Sequence, residues 1–514
     1  MRISNYKKYL FYLIAISLII RCFLAYILEL GGEEAYYWTF ALYPNLSHFY
    51  QLFTNNLTLG NEFFTRFVSI FIGSVNTWII FVLGRRMKSE LTGLFAAFLY
   101  TTSIYCSIIT GTLVSPDTPQ SMFILLSVYF LHEGLIVKYE DSEESRRLCS
   151  MALVMSGVFI GFAMLSKFSS ALLWIGTLIY IVIFDRRVLK RPQIYISVII
   201  SLLVLCPIII WNIKYNFIGF RYIDKAVLAF SDNFTLKDTA VELCRQIIYN
   251  NPVNIVIAIS AIFSFRRVRY LRNDQYKLLI SLFMPFFLMG LVSISFFPLI
   301  MLSGAYLEVK YRHRTRIKLP SVLKKSINVF SLIVLIGVIQ VYTGFFDMET
   351  KKSPDYKIGT DDISLDRYGW RELTKEFKNL RSMDVALGNI SEHAYIISNN
   401  YSSAAHYDYY LANPCNISVK TIGKIDQTRK YAFTTQELGG LKIGESAYYI
   451  ESSRDSISGL TIGLSYYKRV ETAKIIYIYR LRKPVVRYTI YRFKELNTIP
   501  KKELISVPKI YKRW

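Results

Sequence analysis

The chain has 514 residues, of which 53% are hydrophobic and 19% are charged. This composition is too apolar for a soluble enzyme whose whole surface faces water, so it excludes that class and predicts a polytopic membrane protein. The formal net charge of +24 suggests a nucleic-acid-binding protein. However, the basic residues occur in short clusters between apolar segments, as in cytoplasmic loops, and we expect no nucleic acid among the partners.

The first apolar segment runs from about Tyr9 to Leu30, close to the roughly 20 residues that a helix needs to cross a bilayer. A cleaved signal peptide would have a shorter apolar core and a small-residue cleavage site, so this segment is predicted to be retained. Arg21 lies inside it, and an arginine there could pair with a carboxylate or reach the headgroups.

The segment after this span, residues 31–38, reads Gly-Gly-Glu-Glu-Ala-Tyr-Tyr-Trp. Glu33 and Glu34 are predicted to stand in a long loop rather than an amphipathic helix, and we interpret them as functional because ionisable groups beside a membrane span are costly. A carboxylate in this position could accept a proton from a hydroxyl or ligate a divalent cation. The alternative is a water-exposed loop edge.

Further apolar stretches bring the predicted number of spans to 10 or 11, near residues 63–83, 91–112, 118–137, 151–166, 169–184, 194–212, 252–265, 278–297 and 326–346, with a weaker one at 298–309. Basic clusters fall in alternate connections, so the positive-inside rule predicts a cytoplasmic N-terminus in the cell (inner) membrane. The connections that carry Glu33, Asp117 and Lys167 then share the opposite side.

Three more ionisable groups on that side are candidate site residues. Asp117 lies in a Pro-Asp-Thr-Pro sequence, where it could be catalytic or simply cap the helix that follows. Lys167 interrupts an apolar stretch, where it could bind a phosphate or only extend its ammonium group to the membrane surface. Arg66, near the outer edge of the second span, is a further phosphate-binding candidate.

Beyond Phe346 the sequence becomes polar, with turn signals and short β-rich runs. We therefore predict two domains: a multi-span catalytic domain at 1–346 and an extracytoplasmic soluble α/β domain at 347–514. The basic tail, residues 480–514, could lie against anionic headgroups or be solvated.

Several motifs, taken in order, resemble bacterial membrane glycosyltransferases of the protein O-mannosyltransferase and aminoarabinose transferase type, within the glycosyltransferase C superfamily. The family's Asp-Glu-Ala-Tyr-Tyr-Trp pattern is similar to residues 33–38. The other matching positions are Pro-Asp-Thr-Pro at 116–119, Ser-Lys-Phe at 166–168, Pro207 followed by Trp211-Asn212, and Tyr-Gly-Trp at 368–370.

The resemblance implies a polytopic α-helical fold of glycosyltransferase C type, whose first extracytoplasmic loop carries the catalytic carboxylate and whose donor is a sugar linked to a polyprenyl phosphate. Glu33 takes the position of the catalytic Asp, Glu34 that of the neighbouring acid, Asp117 that of the second-loop acid and Lys167 that of a phosphate contact. Two departures stand out. Glu33 replaces Asp, and Tyr50-Gln51 stands where many relatives have Asp-His.

The predicted function is transfer of a sugar from a polyprenyl-phosphate donor to a lipid, glycan or protein acceptor. A divalent metal cation is the one cofactor considered, with Glu34 and Asp117 as its ligands. The alternative is a transporter or flippase of lipid-linked saccharides. Transporters commonly have two related halves and interrupted helices, and neither is visible in the sequence.

Overall fold

The structure is a computed structural model, and it describes residues 5–42, 61–137, 143–214, 217, 236–290, 292–312, 320–346, 348, 357–455 and 458–499. The chain forms two compact units. The first comprises 1–24 and 66–334, and the second comprises 25–65 and 335–514. The predicted division at residue 346 stays a prediction, but the joining of 25–65 to the C-terminal region was not expected from the sequence.

Helices form most of the described part of residues 5–343. They are α1 Asn5–Ile27, α2 Gly32–Leu42, α3 Glu62–Met87, α4 Glu90–Thr101, α5 Asp117–Leu135, α6 Glu143–Ser166, α7 Leu172–Phe184, α8 Pro192–Val204, α9 Cys206–Lys214, α10 Leu236–Tyr249, α11 Pro252–Ser264, α12 Asn273–Leu288, α13 Val292–Tyr311 and α14 Ser321–Thr343. A π-helix at Tyr105–Ile109 and short 3₁₀ turns at Phe168–Ala171 and Arg186–Lys190 connect them.

Among the described helices, four are each long and apolar enough to cross a membrane: Tyr6–Ile27, Glu62–Met87, Arg146–Ser166 and Ser321–Thr343. Two bent pairs would make six spans, α8 with α9 at 48° and residues 240–249 with α11 at 96°. A polytopic helical membrane protein is therefore confirmed, while the count of 10 or 11 spans stays a prediction.

Three predicted segments have different boundaries in the structure. The apolar stretch 91–112 is not one helix, because α4 ends at Thr101 and the Ser103 hydroxyl then accepts a hydrogen bond from the Cys106 N–H at 3.3 Å, next to the π-helix. The stretches 278–297 and 298–309 are replaced by α12 and α13, which are separated at Gly290, where φ is +71°. Helix α10 was missed because it is amphipathic, so its apolar residues are interrupted by charged ones and form no continuous apolar run.

The second unit contains a five-stranded mixed sheet in the order β2-β1-β3-β5-β4. Strand β1 pairs in parallel with β2 and β3, whereas β5 pairs antiparallel with β3 and β4. The strands are β1 Tyr395–Ser398, β2 Val419–Thr421, β3 Ala447–Ser452, β4 Tyr467–Arg480 and β5 Lys483–Leu496. The predicted C-terminal α/β architecture is confirmed.

Five helices accompany these strands, and α2 packs with them. They are α15 Trp370–Ala386, α16 Tyr401–Tyr407, α17 Ile425–Thr428, α18 Lys430–Glu437 and α19 Gly459–Tyr466, with 3₁₀ turns at Ile363–Arg367 and Asn413–Cys415 and a π-helix at Asp408–Ala412. Ala35 and Tyr36 of α2 are buried in the same hydrophobic core as Trp370 and Phe377. The acidic segment at 31–38 is therefore held by the core of the α/β unit.

Candidate functional site

The acidic pair lies in a helix, so the predicted loop at 31–38 is wrong. Helix α2 begins at Gly32, and Glu33 and Glu34 occupy its first turn. Carboxylates are favourable there because they face the positive end of the helix dipole and the free N–H groups. The Gly31 N–H lies 3.3 Å from a Glu34 carboxylate oxygen and donates to it. Four consecutive or nearly consecutive aromatic residues, Tyr36, Tyr37, Trp38 and Phe40, lie in or against the core, so the sequence shows no clear helical period.

Glu34 is buried and ion-paired. Its side chain is 2% exposed, and its carboxylate contacts the Arg367 guanidinium. Arg367 ends the 3₁₀ turn that precedes the Tyr-Gly-Trp motif at 368–370. A carboxylate this deeply buried must be compensated, because an isolated charge in the interior is strongly unfavourable.

Glu33 is exposed, and two neighbouring side chains orient its carboxylate. Its side chain is 59% exposed, its carboxylate accepts a hydrogen bond from the Tyr401 hydroxyl at 2.7 Å, and Arg429 Nη1 lies 3.9 Å away. The Arg429 guanidinium also stacks 3.7 Å from the centre of the Tyr401 ring. Burial, followed by the hydrogen bond to Glu33, raises the pKa of Tyr401 to about 12, so the phenol stays protonated and continues to donate.

The backbone at Arg429 is strained in a way that fits this contact. Its φ is +47°, in a region that residues with a Cβ rarely adopt, at the junction between α17 and α18. Such strain persists only where surrounding contacts fix it, and it concentrates at functional sites. The strained residue here is the one that carries a cation next to Glu33.

Hydrogen bonds fix both ends of α2. Near its start, the Tyr410 hydroxyl accepts from the Leu30 N–H at 2.7 Å, and an Asp366 carboxylate oxygen accepts from the Gly32 N–H at 3.1 Å. Near its end, the Lys430 ammonium donates to the Thr39 carbonyl at 2.7 Å. Burial lowers the pKa of Lys430 to about 7. Side chains supported in this way hold a fixed geometry, which a catalytic group requires.

His406 makes a further contact next to the start of α2, and this contact depends on pH. Its Nε2 lies 3.1 Å from the Leu30 carbonyl, and its ring stacks on Trp370 at 3.9 Å. Burial lowers the pKa of His406 below its usual range. The unfolded chain is then protonated at a higher pH than the folded chain. The stability that neutral His406 contributes is present above about pH 6.5 and is lost as the pH falls.

We therefore expect His406→Gln, which keeps a donor for Leu30, to remove part of the loss of stability below about pH 6.5. The difference in unfolding free energy between parent and variant should not change by more than ~1.4 kcal/mol per pH unit. Asp408 and Asp455 have pKa values raised by burial to about 7 and about 6, and they titrate with the opposite sign. The difference in unfolding free energy between parent and variant, measured from pH 8 to 5, isolates the histidine. A difference that stays constant with pH would contradict the assignment.

The second group of candidates lies in the first unit. The Lys167 ammonium donates to an Asp117 carboxylate oxygen at 2.8 Å, with 43% of the Lys167 side chain and 17% of the Asp117 side chain exposed. Tyr105 interacts with the same carboxylate. One turn into α5, the Gln120 amide nitrogen lies 3.1 Å from the Ser169 hydroxyl and 2.7 Å from the Ser170 hydroxyl. The structure thus brings the turn after Lys167 to the start of α5.

Two alternatives for these residues can be compared with the structure. Asp117 is not the helix cap, because Pro116 occupies that position and Asp117 is the first helical residue. Lys167 does reach a partly exposed position, but its ammonium group is held by Asp117. Lys167 also has an extended backbone and directly precedes the 3₁₀ turn.

The two arginines of the early spans are both buried. Arg66 is fully buried. Arg21 donates from Nε to the Ser107 carbonyl at 3.2 Å and contacts the Ser74 hydroxyl at 3.5 Å. Within the described residues no carboxylate pairs with Arg21.

Some predictions concern residues that the structure does not describe. The departure at Tyr50-Gln51 lies outside the described residues, as does the last part of the basic tail, 500–514.

The described residues do not fit a metal centre. No group of three or more His, Cys, Asp or Glu side chains that could hold an ion occurs in this part of the chain. Of the two suggested ligands, Glu34 is engaged by Arg367 and Asp117 by Lys167. Metal dependence therefore stays a prediction without a site.

Sequence comparison identifies a glycosyltransferase family over part of the chain. The family profile of dolichyl-phosphate-mannose-protein mannosyltransferases matches residues 44–211. This range includes the motifs at 116–119 and 166–168 but begins after the acidic pair. No curated protein sequence matches the chain.

Solved structures extend the comparison to nearly the whole chain. ArnT from Cupriavidus metallidurans in the apo state matches with a TM-score of 0.59 and 12% identity, over 95% of this chain and 98% of that one. The same protein bound to undecaprenyl phosphate gives a TM-score of 0.58 and 12% identity, over 97% of this chain and 100% of that one. The chain has the glycosyltransferase C fold.

The oligosaccharyltransferase of Archaeoglobus fulgidus, tethered with an acceptor peptide, matches with a TM-score of 0.45 and 13% identity, over 87% of this chain and 70% of that one. The profile match at 44–211 and the fold similarity to ArnT confirm the predicted resemblance to membrane glycosyltransferases. The matched profile is that of a glycosyltransferase family, and the similarity to ArnT shows the fold; neither indicates a sugar.

Three residues around Glu33 and Glu34 were not found from the sequence: Arg367, Tyr401 and Arg429. Arg367 directly precedes the Tyr-Gly-Trp motif, so its position beside a family motif was an available signal. Tyr401 and Arg429 lie far from the acidic pair in sequence, and neither belongs to a motif that the sequence analysis recognised. Only the folded α/β unit places them next to Glu33.

Proposed function

We propose that the chain is a multi-pass membrane glycosyltransferase that moves a sugar from a polyprenyl-phosphate donor to a lipid, glycan or protein acceptor on the extracytoplasmic side. In this proposal the N-terminus is cytoplasmic. The observation that carries it is Glu33, an exposed carboxylate at the start of α2, oriented by Tyr401 and Arg429. The similarity in fold to ArnT, which was solved with undecaprenyl phosphate bound, supports the class of donor.

The role we assign to Glu33 depends on the acceptor. If the acceptor is a hydroxyl, Glu33 takes its proton as the new glycosidic bond forms, and the bond from the sugar to the phosphate breaks to release polyprenyl phosphate. If the acceptor is a phosphate, no proton needs to leave and Glu33 only positions groups. Glu34 is the less suitable base, since it is 2% exposed and already bound to Arg367.

The proposed phosphate contact is Lys167, with Asp117 as the residue that orients it. A lysine ammonium is a compact charge that suits a phosphate oxygen. The pair is partly exposed, so exchanging some of the carboxylate contact for phosphate costs little. Arg66 remains a second candidate. Because it is fully buried, the residues around it would have to move before it could contact a lipid phosphate.

We expect Lys167→Gln to lower kcat/KM about ten- to a hundredfold, mainly by raising KM for the donor, because a charge-assisted hydrogen bond to the phosphate is lost. Lys167→Arg keeps the charge and should recover most of the activity. Lys277→Gln, in α12, is the matched control and should have no effect. An unchanged donor KM in Lys167→Gln would contradict the phosphate role.

The enzyme and transporter hypotheses separate in one assay. Membranes that contain the full chain are supplied with polyprenyl-phosphate donors labelled in the sugar, and label is followed both into acceptors and across the bilayer. The proposal predicts transfer of label and release of polyprenyl phosphate. Movement of intact donor across the membrane without its consumption would favour the transporter. Adding EDTA to the same assay tests whether a divalent metal is required.

A further inference from the structure

A second feature of the first unit lies among α1, α4 and the start of α14. These elements surround a cavity of about 510 Å³, lined by residues 6–20 of α1, 91–102 of α4 and 320–331 around the start of α14. Its walls are mainly aliphatic and aromatic, for example Leu13, Ile16, Leu94 and Phe330. From Tyr6 to Ile20 the cavity follows α1 for about 21 Å, given a rise of about 1.5 Å per residue.

Three of the hydroxyl groups in this wall already have partners within the protein. Ser17, Thr101 and Thr102 each donate to a carbonyl of their own helix, at 3.0, 3.1 and 2.9 Å. Their hydrogen bonds are therefore satisfied without a ligand. A long space with mainly apolar walls suits a hydrocarbon chain better than a sugar or another polar molecule.

The two outer helices of the cavity are exposed where a membrane would contact them. Only 28% of the apolar window of α1 and 17% of that of α14 is buried inside the protein. Ile16 lines the cavity although its side chain is 58% exposed. The cavity therefore opens sideways, on the surface that lipid would cover.

Charge distinguishes one end of the cavity. Tyr6 and Pro320 line that end, and exposed lysines stand beside them in the first turns of α1 and α14: Lys7, Lys8, Lys324 and Lys325. Glu90, the first residue of α4, is an acidic residue next to the lining residue Leu91. Lysines at helix N-termini are unfavourable by themselves, because they face the positive end of the helix dipole. An anion between the two helix starts would be attracted by both the lysines and the dipoles.

We propose that this cavity binds one acyl chain of an anionic phospholipid, with the phosphate near Lys324 and Lys325. The site is separate from the residues assigned to sugar transfer. Anionic lipid would then be enriched beside α1 and α14, in the leaflet next to their N-termini.

The test uses the purified full chain and native mass spectrometry, with dioleoylphosphatidylglycerol and dioleoylphosphatidylcholine as probes. One phosphatidylglycerol should stay bound under conditions that remove phosphatidylcholine. Ile16→Trp should lower its retention about tenfold by filling the cavity. Ile19→Trp is the matched control, since Ile19 is 67% exposed on the same helix but does not line the cavity. Because both positions are exposed, both variants should fold.

Removing charge tests the headgroup. The double variant Lys324→Gln/Lys325→Gln should weaken retention of phosphatidylglycerol about thirtyfold at low salt, at about fivefold per lysine, and leave phosphatidylcholine unchanged. Arg186→Gln/Arg187→Gln, at another helix end, is the matched control.

Three results would each overturn the proposal: equal losses in Ile16→Trp and Ile19→Trp, equal retention of the two lipids, or displacement of phosphatidylglycerol by equimolar undecaprenyl phosphate. The last result would assign the cavity to the donor lipid.

Discussion

Replacing Glu33 with glutamine is expected to lower the rate of sugar transfer by about 10² to 10⁴, the usual contribution of a positioned acid or base. The substitution keeps the size of the side chain and its ability to accept from Tyr401, so the fold should be unaffected. Because Glu33 is 59% exposed, loss of its charge should not change stability measurably. The measurement is the initial rate of label transfer, normalised to folded protein by size-exclusion chromatography.

Two further variants give this prediction its controls. Glu33→Asp restores the residue found at this position in the family that the sequence resembles, and we expect it to keep activity within about tenfold. Tyr401→Phe removes the hydrogen bond to the carboxylate but not the ring, so it should cause a smaller loss than Glu33→Gln. Full activity in Glu33→Gln with a hydroxyl acceptor would rule out its role as the base.

The largest expected effect on stability comes from Arg367. Replacing it with methionine leaves the Glu34 carboxylate, 2% exposed, without its guanidinium partner. Breaking a buried ion pair by removing one member typically costs about 3–5 kcal/mol, because the remaining charge stays desolvated. The unfolding midpoint in detergent should therefore fall strongly, and protease should gain access to the α/β unit.

The control for this effect is an exposed ion pair in the same unit. Lys468 and Glu495 lie 2.8 Å apart with 56% and 51% of their side chains exposed. Glu495→Gln should leave the unfolding midpoint unchanged, since water already screens the pair. The double variant Glu34→Leu/Arg367→Met, which removes both charges, should recover part of the lost stability. An Arg367→Met protein as stable as Glu495→Gln would show that the buried pair is not stabilising.

The membrane character and the candidate residues could be predicted from the sequence because both depend on local composition. Runs of apolar residues identify spans, and isolated acids and lysines between them stand out. The pairing of Asp117 with Lys167 was anticipated in part, as both were placed on one side of the membrane. The match of residues 44–211 to a mannosyltransferase family agrees with the motifs recognised there.

What could not be predicted depends on contacts between distant parts of the chain. Glu33 and Glu34 are adjacent and identical, yet the fold exposes one and buries the other beside Arg367, more than 300 residues away. Helix α2 was missed because it is short and its stability comes from the core of the α/β unit rather than from its own sequence. Similarly, α4 ends early because of hydroxyl groups whose effect is not captured by mean hydropathy.

The most direct test compares Glu33→Gln with Glu34→Gln in one transfer assay, with activity expressed per folded molecule. We predict that Glu33→Gln is folded and loses at least about a hundredfold in rate. Glu34→Gln should have a lower unfolding midpoint but keep most of its activity in the fraction that remains folded. A Glu34→Gln protein that is stable and inactive, beside a Glu33→Gln protein that is active, would contradict the assignment of the catalytic carboxylate to Glu33.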